Sequence, residues 1–192
     1  IGNLFAIRQE NIKRFLAFSS ITQVGYILLG FTNGGTQGSA AALYFVLIYI
    51  LSNCAAFGII NMVAVQNGKE NISDFKSFYE NNPTLSWVLA VALFSLAGIP
   101  PTAGFFGKMF LITAGAAKGN YLLIGFAALN MVVSLYYYLN IVKVIFSRDG
   151  ENKMEVIKGS TPGKIALGIS MLGVLVTGFY SGIYDYIIFL LK

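Results

Sequence analysis

Lys108 is the residue whose type and position point most directly to chemistry. It lies in an apolar run, ten residues after Gly98 and four after Gly104. Pro100 and Pro101 have no backbone N–H and the glycines loosen the chain, so the sequence predicts a helix that breaks between the two glycines. Desolvation beside such a break disfavours the charged ammonium, which would allow the lysine to bind and release a proton.

A second interpretation of Lys108 remains open on sequence grounds. The side chain could snorkel along the lipid and place its ammonium at the membrane surface. Nine residues separate it from Lys118, which corresponds to about 13 Å of helix. That distance is only partly within reach of a lysine, so the proton-carrying interpretation is favoured.

Polar side chains recur at helical spacing in three other apolar runs. The stripes are Ser19, Thr22, Gln23 and Tyr26; then Tyr49, Ser52 and Asn53; then Tyr136, Asn140 and Lys143. In each stripe the spacing places the members on one helix face. Together they could enclose a hydrated proton track, or each could form interhelical hydrogen bonds worth ~0.6 kcal/mol. For Lys143, near the end of its run, snorkelling is the favoured role and a proton relay is the alternative.

Five transmembrane helices are predicted to position these residues. No charged residue occurs between Arg14 and Lys69, and turn-rich residues at 32–38 divide that stretch in two. A hydrocarbon core requires about 20 helical residues, and backbone groups in lipid must be paired internally. We expect one membrane domain over 1–192, with the third span broken and the spans at about 14–31, 40–66, 84–117, 121–146 and 165–191.

The composition agrees with lipid as the solvent. Of the 192 residues, 56% are apolar and 11% are charged, and the mean hydropathy is +0.71. A typical soluble domain has about 25% charged residues. A soluble helical bundle would also show a polar face every 3.6 residues, which 40–60 and 165–176 lack. The chain is therefore predicted to be an all-α integral membrane protein.

The same composition excludes several classes of site. With no histidine and one cysteine, the chain cannot form a disulfide framework, a Cys/His zinc or haem site, or a histidine-based triad. None of the eight carboxylates lies deep in an apolar run, which argues against acid/base pairs and calcium loops. The glycine-rich residues at 34–38 lack the Lys-Ser/Thr of a phosphate loop. We expect no metal, cofactor or nucleotide in this chain.

The distribution of positive charge predicts the orientation in the membrane. The net charge of +5 lies in short connections, which indicates membrane topology rather than nucleic-acid binding. With five spans, the side of the first residues collects Arg8, Lys13, Arg14, Lys69, Lys76, Arg148, Lys153, Lys158 and Lys164, and the opposite side has Lys118 and Lys192. The start should therefore be cytoplasmic and the C-terminus outward. The opening residues look like the tail of an earlier helix, so we expect a fragment.

Three segments resemble one family of membrane subunits. They are IKRFLAFSSITQVGYILLGF (12–31), SLAGIPPTAGFFGK (95–108) and SLYYYLNIVKVIF (134–146). They are similar to the antiporter-like subunits of proton-pumping NADH:quinone oxidoreductase, respiratory complex I. The form is that of subunit N, called subunit 2 in mitochondria, and of its plastid counterpart, and the resemblance runs over essentially the whole chain. In weaker form, the first two segments also resemble multi-subunit sodium/proton antiporters.

The resemblance implies a place for each motif. Such subunits have about fourteen transmembrane helices in two inverted five-helix units, each forming half of a proton path, and this chain resembles helices 10–14. Lys108 then matches the lysine of broken helix 12, assigned to the outward half-path, and Ser52 and Asn53 fall on a broken or kinked helix 11. Gln23 stands where many members have histidine, so it could only orient water. Asn140 stands where a basic residue is common, which weakens the case that this position is essential.

The function implied is a non-redox, proton-translocating membrane subunit of NADH:quinone oxidoreductase in a bacterial inner membrane. The resemblance places FMN and iron–sulfur clusters in partner subunits and makes other membrane subunits and the lipid bilayer the partners. The glutamate of helix 5 and the lysines of helices 7 and 8 are missing, so this chain alone could not carry protons across. Two alternatives remain: a subunit of a multi-subunit cation/proton antiporter, or a passive helix scaffold in which Lys108 anchors an interface.

Overall fold

The protein is described by a computed structural model over residues 1–148, 154–180 and 182–192. Within these residues the regular structure is helical and contains no β-strand. The elements are α1 (Gly2–Ile7), α2 (Ile12–Asn33), α3 (Gly35–Asn67), a 3₁₀ turn (Ile72–Phe75), α4 (Phe78–Asn81), α5 (Pro83–Ala97), α6 (Ala103–Ala117), α7 (Tyr121–Ile145), α8 (Thr161–Phe179) and α9 (Gly182–Leu190). The predicted all-α fold is confirmed.

In the part of the chain that the structure describes, four helices are long and apolar enough to cross a membrane: α2, α3, α7 and α8. The helices α5 and α6 are apolar but have 15 residues each, which is about 22 Å of helix and less than a hydrocarbon core of about 30 Å. They occupy the region of the predicted third span, and the chain between them is not helical. The helix break therefore lies where the glycines and prolines predict it.

The turn between α2 and α3 is shorter than the sequence predicts. Gly34 alone separates the two helices. Gly34 and Gly35 have φ angles of +63° and +69°, in the region that residues with a Cβ rarely adopt, so the chain reverses within two residues. Of the other turn-rich residues, Thr32 and Asn33 end α2, and those at 35–38 form the first turn of α3. This helix then continues to Asn67 without interruption, so of the broken or kinked helix that the resemblance implies, the broken form is not present in α3.

The last predicted span, 165–191, consists of two helices rather than one. The helix α8 ends at Phe179, and Tyr180 is extended, with φ −109° and ψ 92°. Just before this end the chain passes close to the start of α6, where a Cβ on Gly178 would lie 2.9 Å from the Ala103 nitrogen. After the interruption, α9 stacks Tyr184 on a phenylalanine of α6, with the ring centroids 4.0 Å apart.

The helix α3 is the centre of the bundle, since it packs against α2, α5, α6, α8 and α9. Small side chains allow this close packing: Ala40, Ala41 and Ala42 are fully buried. Among the largest fully buried side chains are Tyr44 and Tyr138, and one lysine, Lys108, is buried with them. A buried lysine in an interior of apolar and aromatic side chains needs polar partners, and these define the candidate site.

The connection that follows α3 is attached to the start of α2. Asn11 caps α2 by accepting hydrogen bonds from the backbone of Lys13 and Arg14 at 3.0 and 3.1 Å. The Lys13 ammonium lies 2.7 Å from the Glu70 carboxylate, and Asn11 donates to the same carboxylate at 3.1 Å. The bond from Lys13, and then that from Asn11, lower the pKa of Glu70. This clasp joins the start of α2 to the connection after α3. It lies at the end of the bundle that also carries the starts of α5 and α8, which is called the charged end below.

Candidate functional site

The break between α5 and α6 leaves backbone carbonyl groups inside the protein without an N–H partner from the helix. The helix α5 ends at Ala97, and Gly98 follows in the left-handed conformation with φ +83°. The Gly98 N–H donates to the carbonyls of Phe94 and Ser95, which satisfies two acceptors at the end of the helix. The carbonyls of Leu96 and Ala97 come next, and a helix supplies no partner for them at its end.

The ammonium group of Lys108 donates hydrogen bonds to both of these carbonyls. The residue lies in the second turn of α6, its side chain is 0% exposed, and its ammonium donates to Leu96 at 2.8 Å and to Ala97 at 3.0 Å. The end of a helix carries partial negative charge, so a cation is stabilised there. The position requires a glycine opposite, because a Cβ on Gly98 would lie 2.9 Å from Lys108 Cδ.

The surroundings of the ammonium are polarisable rather than ionic. Its nitrogen lies 4.9 Å from the centre of the Tyr26 ring, a cation–π distance. Within the described residues the recorded ion pair is Lys13–Glu70, and it does not involve Lys108. The Lys108 side chain points into the protein, so in this structure it does not snorkel to the membrane surface.

Two glycines of α6 allow the helix to fold back against its neighbours. A Cβ on Gly104 would collide with the carbonyl oxygen of Ser95 in the last turn of α5. A Cβ on Gly107 would lie 2.8 Å from the ring of Phe45 on α3. Since backbone approaches this close leave no room for a side chain, the glycines fix the position of α6 and therefore that of Lys108.

A chain of buried polar groups leads from Lys108 toward the charged end of the bundle. Gln23 Nε2 donates to the Leu96 carbonyl at 3.1 Å and to the Tyr138 hydroxyl at 3.4 Å. Tyr138 in turn donates to Ser19 Oγ at 3.0 Å, and Ser19 donates to the Leu16 carbonyl at 2.8 Å. Gln23 Oε1 is buried and has no hydrogen-bond partner among the described residues.

A second polar pair, of a buried and a half-buried asparagine, lies beyond Lys108 in the opposite direction. Asn33 at the end of α2 is 3% exposed and donates to the carbonyl of Leu111, one turn after Lys108, at 3.4 Å. Asn120, in the turn between α6 and α7, donates to Asn33 Oδ1 at 3.0 Å. Lys108 therefore lies between two sets of polar groups, one toward each end of the bundle, and the first set is buried.

Of the polar stripe predicted on α3, Ser52 lies at the helix break between α5 and α6. Ser52 is fully buried, and its hydroxyl donates to the hydroxyl of Ser95 at 2.8 Å, which connects α3 to the last turn of α5. Tyr49 and Asn53 are half-buried. Thr22 of the first stripe is also half-buried, and it donates to a side chain of α1 at 2.8 Å rather than to a group at the break.

The stripe predicted on α7 lies on the outer face of the bundle. Asn140 and Lys143 are exposed, and Tyr136 is 68% exposed, so these residues do not enclose a polar track within this chain. The buried face of α7 carries Tyr137 and Tyr138 instead. Both rings pack edge-on against a phenylalanine of α2, with centroid distances of 5.2 and 5.5 Å, and this aromatic packing determines the rotation of α7.

Sequence reasoning missed three members of the site. The sequence singles out neither Tyr138 nor Ser95, and it places Asn33 in the turn-rich residues at 32–38. The two carbonyls that bind Lys108 were also missed, although a predicted helix break implies unpaired carbonyls at the end of the first half. Nothing in the sequence marks Tyr138 over Tyr136, since both are tyrosines in an apolar helix.

The chemistry available at the break is proton binding and transfer. The groups present are one amine, hydroxyl groups, one amide and backbone carbonyls. An amine removed from water can hold or release a proton, and hydroxyl and amide groups orient water beside it. Within residues 1–148, 154–180 and 182–192, no group of three His, Cys, Asp or Glu side chains is arranged to hold a metal ion.

Comparison with known protein families gives a match over most of the chain. The family model described as NADH:quinone oxidoreductase/Mrp antiporter, TM, matches residues 1–134. NADH-quinone oxidoreductase subunit N of Azobacteroides pseudotrichonymphae is 50% identical over 189 residues, which are 97% of this chain and 39% of the relative. Subunit N of Phocaeicola vulgatus is 45% identical over 186 residues, 96% of this chain and 39% of the relative. The chain thus spans about two fifths of the length of these relatives.

Solved structures share the fold. A chain of respiratory complex I from Thermus thermophilus with bound Aureothin superposes with a TM-score of 0.80 and 29% identity, over 94% of this chain and 41% of that chain. A chain of the archaeal membrane-bound sulfane sulfur reductase gives 0.86 and 26% identity, over 97% and 38%. A chain of the Mrp complex from Dietzia sp. DQ12-45-1b gives 0.81 at 21% identity, over 100% and 47%, a likeness of fold alone. With its apolar helices, the chain is an integral membrane protein.

Proposed function

This chain belongs to the NADH:quinone oxidoreductase/Mrp antiporter transmembrane family, and from that premise we propose that it is part of a proton-translocating membrane subunit. The proposal rests on one observation above all. Lys108 is fully buried at a helix break, and its ammonium is bound by two carbonyl oxygens and by no carboxylate recorded within the described residues. A lysine without a fixed counterion can change its charge at a lower free-energy cost than one in a buried ion pair.

In this proposal Lys108 carries the proton, and the two sets of polar groups around it are its approach and its exit. Gln23, Tyr138 and Ser19 lead from the Leu96 carbonyl toward the charged end of the bundle. Asn33 lies on the other side and forms the start of the outward half-path. The gaps between these groups would be filled by water, for which the unpaired Gln23 Oε1 is an available acceptor.

The topology that we propose has five spans in one membrane domain over 1–192. The four long helices each cross the membrane, and α5 and α6 together form the fifth, broken span. The cations at the charged end place the first residues in the cytoplasm and the C-terminus outside, in a bacterial inner membrane. Among these cations, Lys153 lies outside the described residues.

The parent protein that we propose is subunit N of an NADH:quinone oxidoreductase, the name of the two bacterial relatives. Quinone reduction would occur elsewhere in the complex, with FMN and iron–sulfur clusters in partner subunits, and the neighbours of this chain would be other membrane subunits. Because the chain spans about two fifths of those relatives, the remainder of the path would lie in the parts that it does not span. The chain by itself would not be catalytic.

A second candidate is a subunit of a cation/proton antiporter without redox chemistry. It is favoured by the family description, which includes Mrp antiporters, and by the fold shared with a chain of the Mrp complex. Purification of the parent complex distinguishes the two candidates. Subunits carrying flavin and iron–sulfur centres would be expected for the first candidate and would exclude the second.

The proton-carrying role is tested in sealed membrane vesicles that contain the assembled parent complex. NADH-driven quinone reduction and proton uptake are recorded together for the wild type and for Lys108→Met, which keeps most of the apolar stem and removes the amine. We expect the complex to assemble, as judged on a native gel, and proton uptake to fall at least about tenfold, a barrier change of about 1.4 kcal/mol. Lys143→Met on the outer face of α7 is the matched control and should pump normally.

Two results would contradict the proposal. If Lys108→Met assembles and pumps at the wild-type rate, the lysine only fills a cavity at the break. If the complex fails to assemble, Lys108→Arg decides the question, because arginine keeps a positive charge for the carbonyls but does not release its proton. An assembled Lys108→Arg complex that pumps normally would show a structural anchor, as the scaffold alternative requires.

A further inference from the structure

A groove opens at the charged end of the bundle, between the first turns of α5 and α8. Its volume is about 480 Å³, and its walls are mainly apolar, with Leu85 and Val88 from α5 and Leu167 from α8. These residues lie between the third and the seventh positions of their helices, so the groove descends about 10 Å from the helix starts into the apolar zone.

The third wall of the groove is the irregular segment 154–159, which two asparagines hold in place. Asn81 donates to the Met154 carbonyl at 2.8 Å, and Asn82 donates to the Glu155 carbonyl at 3.0 Å. The backbone N–H of Ile157 donates back to Asn82 Oδ1 at 2.7 Å. With its wall fixed by three hydrogen bonds, the groove is a preformed feature rather than a gap between loose loops.

The charge of the groove is of one sign. Lys164 is the one charged side chain among the described residues that line it. The stem of Lys164 rests against Gly159, with Cγ and Cε each 3.4 Å from the position of a glycine Cβ, and the residue is exposed. It lies in the first turn of α8, where the helix dipole adds partial positive charge. Glu80 and Glu155 are near in sequence but are not among the lining residues.

We propose that this groove binds an anionic phospholipid, with an acyl chain between α5 and α8 and the phosphate at Lys164. The apolar walls fit a hydrocarbon chain, and the single cation is at the level where the headgroup of such a chain would lie. Basic pockets between transmembrane helices on the cytoplasmic side are recognised sites for anionic headgroups. This site shares no lining residue with the groups around Lys108. The proposal of a lipid site can therefore be tested independently of the proposed proton path.

The chain offers matched variants for the two parts of the site. Gly168 lines the groove and has no atom within 4 Å of its Cβ position, so Gly168→Leu adds a bulky side chain to the groove at a position that has room for the Cβ. Gly125 on α7 is equally open but does not line the groove, so Gly125→Leu is its control. Lys164→Gln removes the rim charge, and Lys158→Gln removes an exposed cation on the adjacent connection that does not line the groove.

The test uses vesicles that contain the assembled parent complex and phospholipids with a diazirine in the acyl chain. Phosphatidylglycerol and phosphatidylcholine probes are activated by light in separate samples, and the labelled peptides are identified by mass spectrometry. We expect the phosphatidylglycerol probe to label the groove peptides about fivefold more than the phosphatidylcholine probe, a ratio appropriate for one lysine at the surface. Lys164→Gln should remove that preference, and Gly168→Leu should reduce the labelling by both probes. The two control variants should label like the wild type.

Three results would overturn the proposal. Equal labelling of the groove by the two probes in the wild type would show an unspecific lipid annulus. Labelling that Gly168→Leu leaves unchanged, in a complex that assembles on a native gel, would place the lipid elsewhere. A photoreactive amino acid at Val88 that cross-links to another subunit instead of to lipid would show that a partner helix fills the groove.

Discussion

Lys108 and Gln23 donate hydrogen bonds to the same carbonyl oxygen, that of Leu96, over 2.8 and 3.1 Å. One acceptor at the end of α5 therefore joins side chains from α6 and α2. Each donor competes with the other for the electron density of the oxygen, so a change in the charge of Lys108 alters the hydrogen bond of Gln23. The helix break thus couples the proposed proton carrier to the polar groups on one side of it.

Gln23→Glu is expected to slow proton transfer without preventing assembly. A carboxylate at this position would lie beside the Lys108 ammonium and stabilise its charged form, because attraction between opposite charges is strong in an apolar interior. We expect proton uptake by the parent complex in vesicles to fall about tenfold, equivalent to ~1.4 kcal/mol. Gln23→Leu, which removes the hydrogen bonds and adds no charge, should have the smaller effect. The reverse order would show that the amide itself is the essential group.

Gly98→Ala is expected to displace Lys108 from its two carbonyls. The added Cβ would lie 2.9 Å from Lys108 Cδ, in a residue whose φ is +83°. Gly68→Ala is the matched control, since Gly68 has φ +64° and no atom within 4 Å of its Cβ position. Both variants should lose about 1 kcal/mol for the left-handed backbone, and only Gly98→Ala should also lose proton uptake. Similar uptake in the two variants would contradict the placement of Lys108.

Tyr138→Phe and Tyr136→Phe are expected to differ, although they are the same substitution two residues apart. Tyr138 is fully buried and bonds both Ser19 and Gln23, whereas Tyr136 is 68% exposed. Loss of two buried hydrogen bonds should destabilise the protein by about 1 kcal/mol, at ~0.6 kcal/mol each. The thermal unfolding midpoint of the complex in detergent should fall for Tyr138→Phe and remain unchanged for Tyr136→Phe. Equal midpoints would indicate that the hydroxyl network contributes nothing to stability.

The Lys13–Glu70 clasp is expected to stabilise the protein at neutral pH and to lose its effect in acid. Its hydrogen bonds lower the pKa of Glu70 in the folded protein. A carboxyl group with a lowered folded-state pKa stabilises the fold above its unfolded pKa, and this contribution disappears as the pH falls through the folded value. Because the pair is at the surface, the effect should be small and weaker at high salt.

Glu70→Gln tests the clasp through the pH dependence of thermal unfolding. The variant should lose a small part of its stability at pH 7 and should show a flatter decline between pH 7 and acid than the wild type. Glu10→Gln, on the connection between α1 and α2, is the control for removal of a carboxyl group nearby. A wild-type pH profile in Glu70→Gln would show that the ion pair does not affect folding.

The sequence determined the lipid solvent, the all-helical fold class and the helix break after Ala97. Long apolar runs without charge can bury their backbone polar groups in lipid only as helices, so composition and charge spacing predict an all-α membrane fold. Glycine and proline act through the backbone of their own residue, and the interruption after Ala97 could therefore be located from Gly98, Pro100 and Pro101. The same reasoning singled out Lys108, because an ammonium in an apolar run needs a partner wherever the run folds.

The tertiary structure alone decided which polar side chains share the interior. In water, a buried helix face is marked by apolar residues, but in lipid both faces of a helix are apolar, so hydrophobic periodicity does not show its rotation. For this reason the sequence could not choose between Tyr136 and Tyr138, and the packing of aromatic rings against α2 made the choice. The partners of Lys108 were equally hidden, because they are carbonyls of the backbone, which every residue has and which only the fold brings within reach.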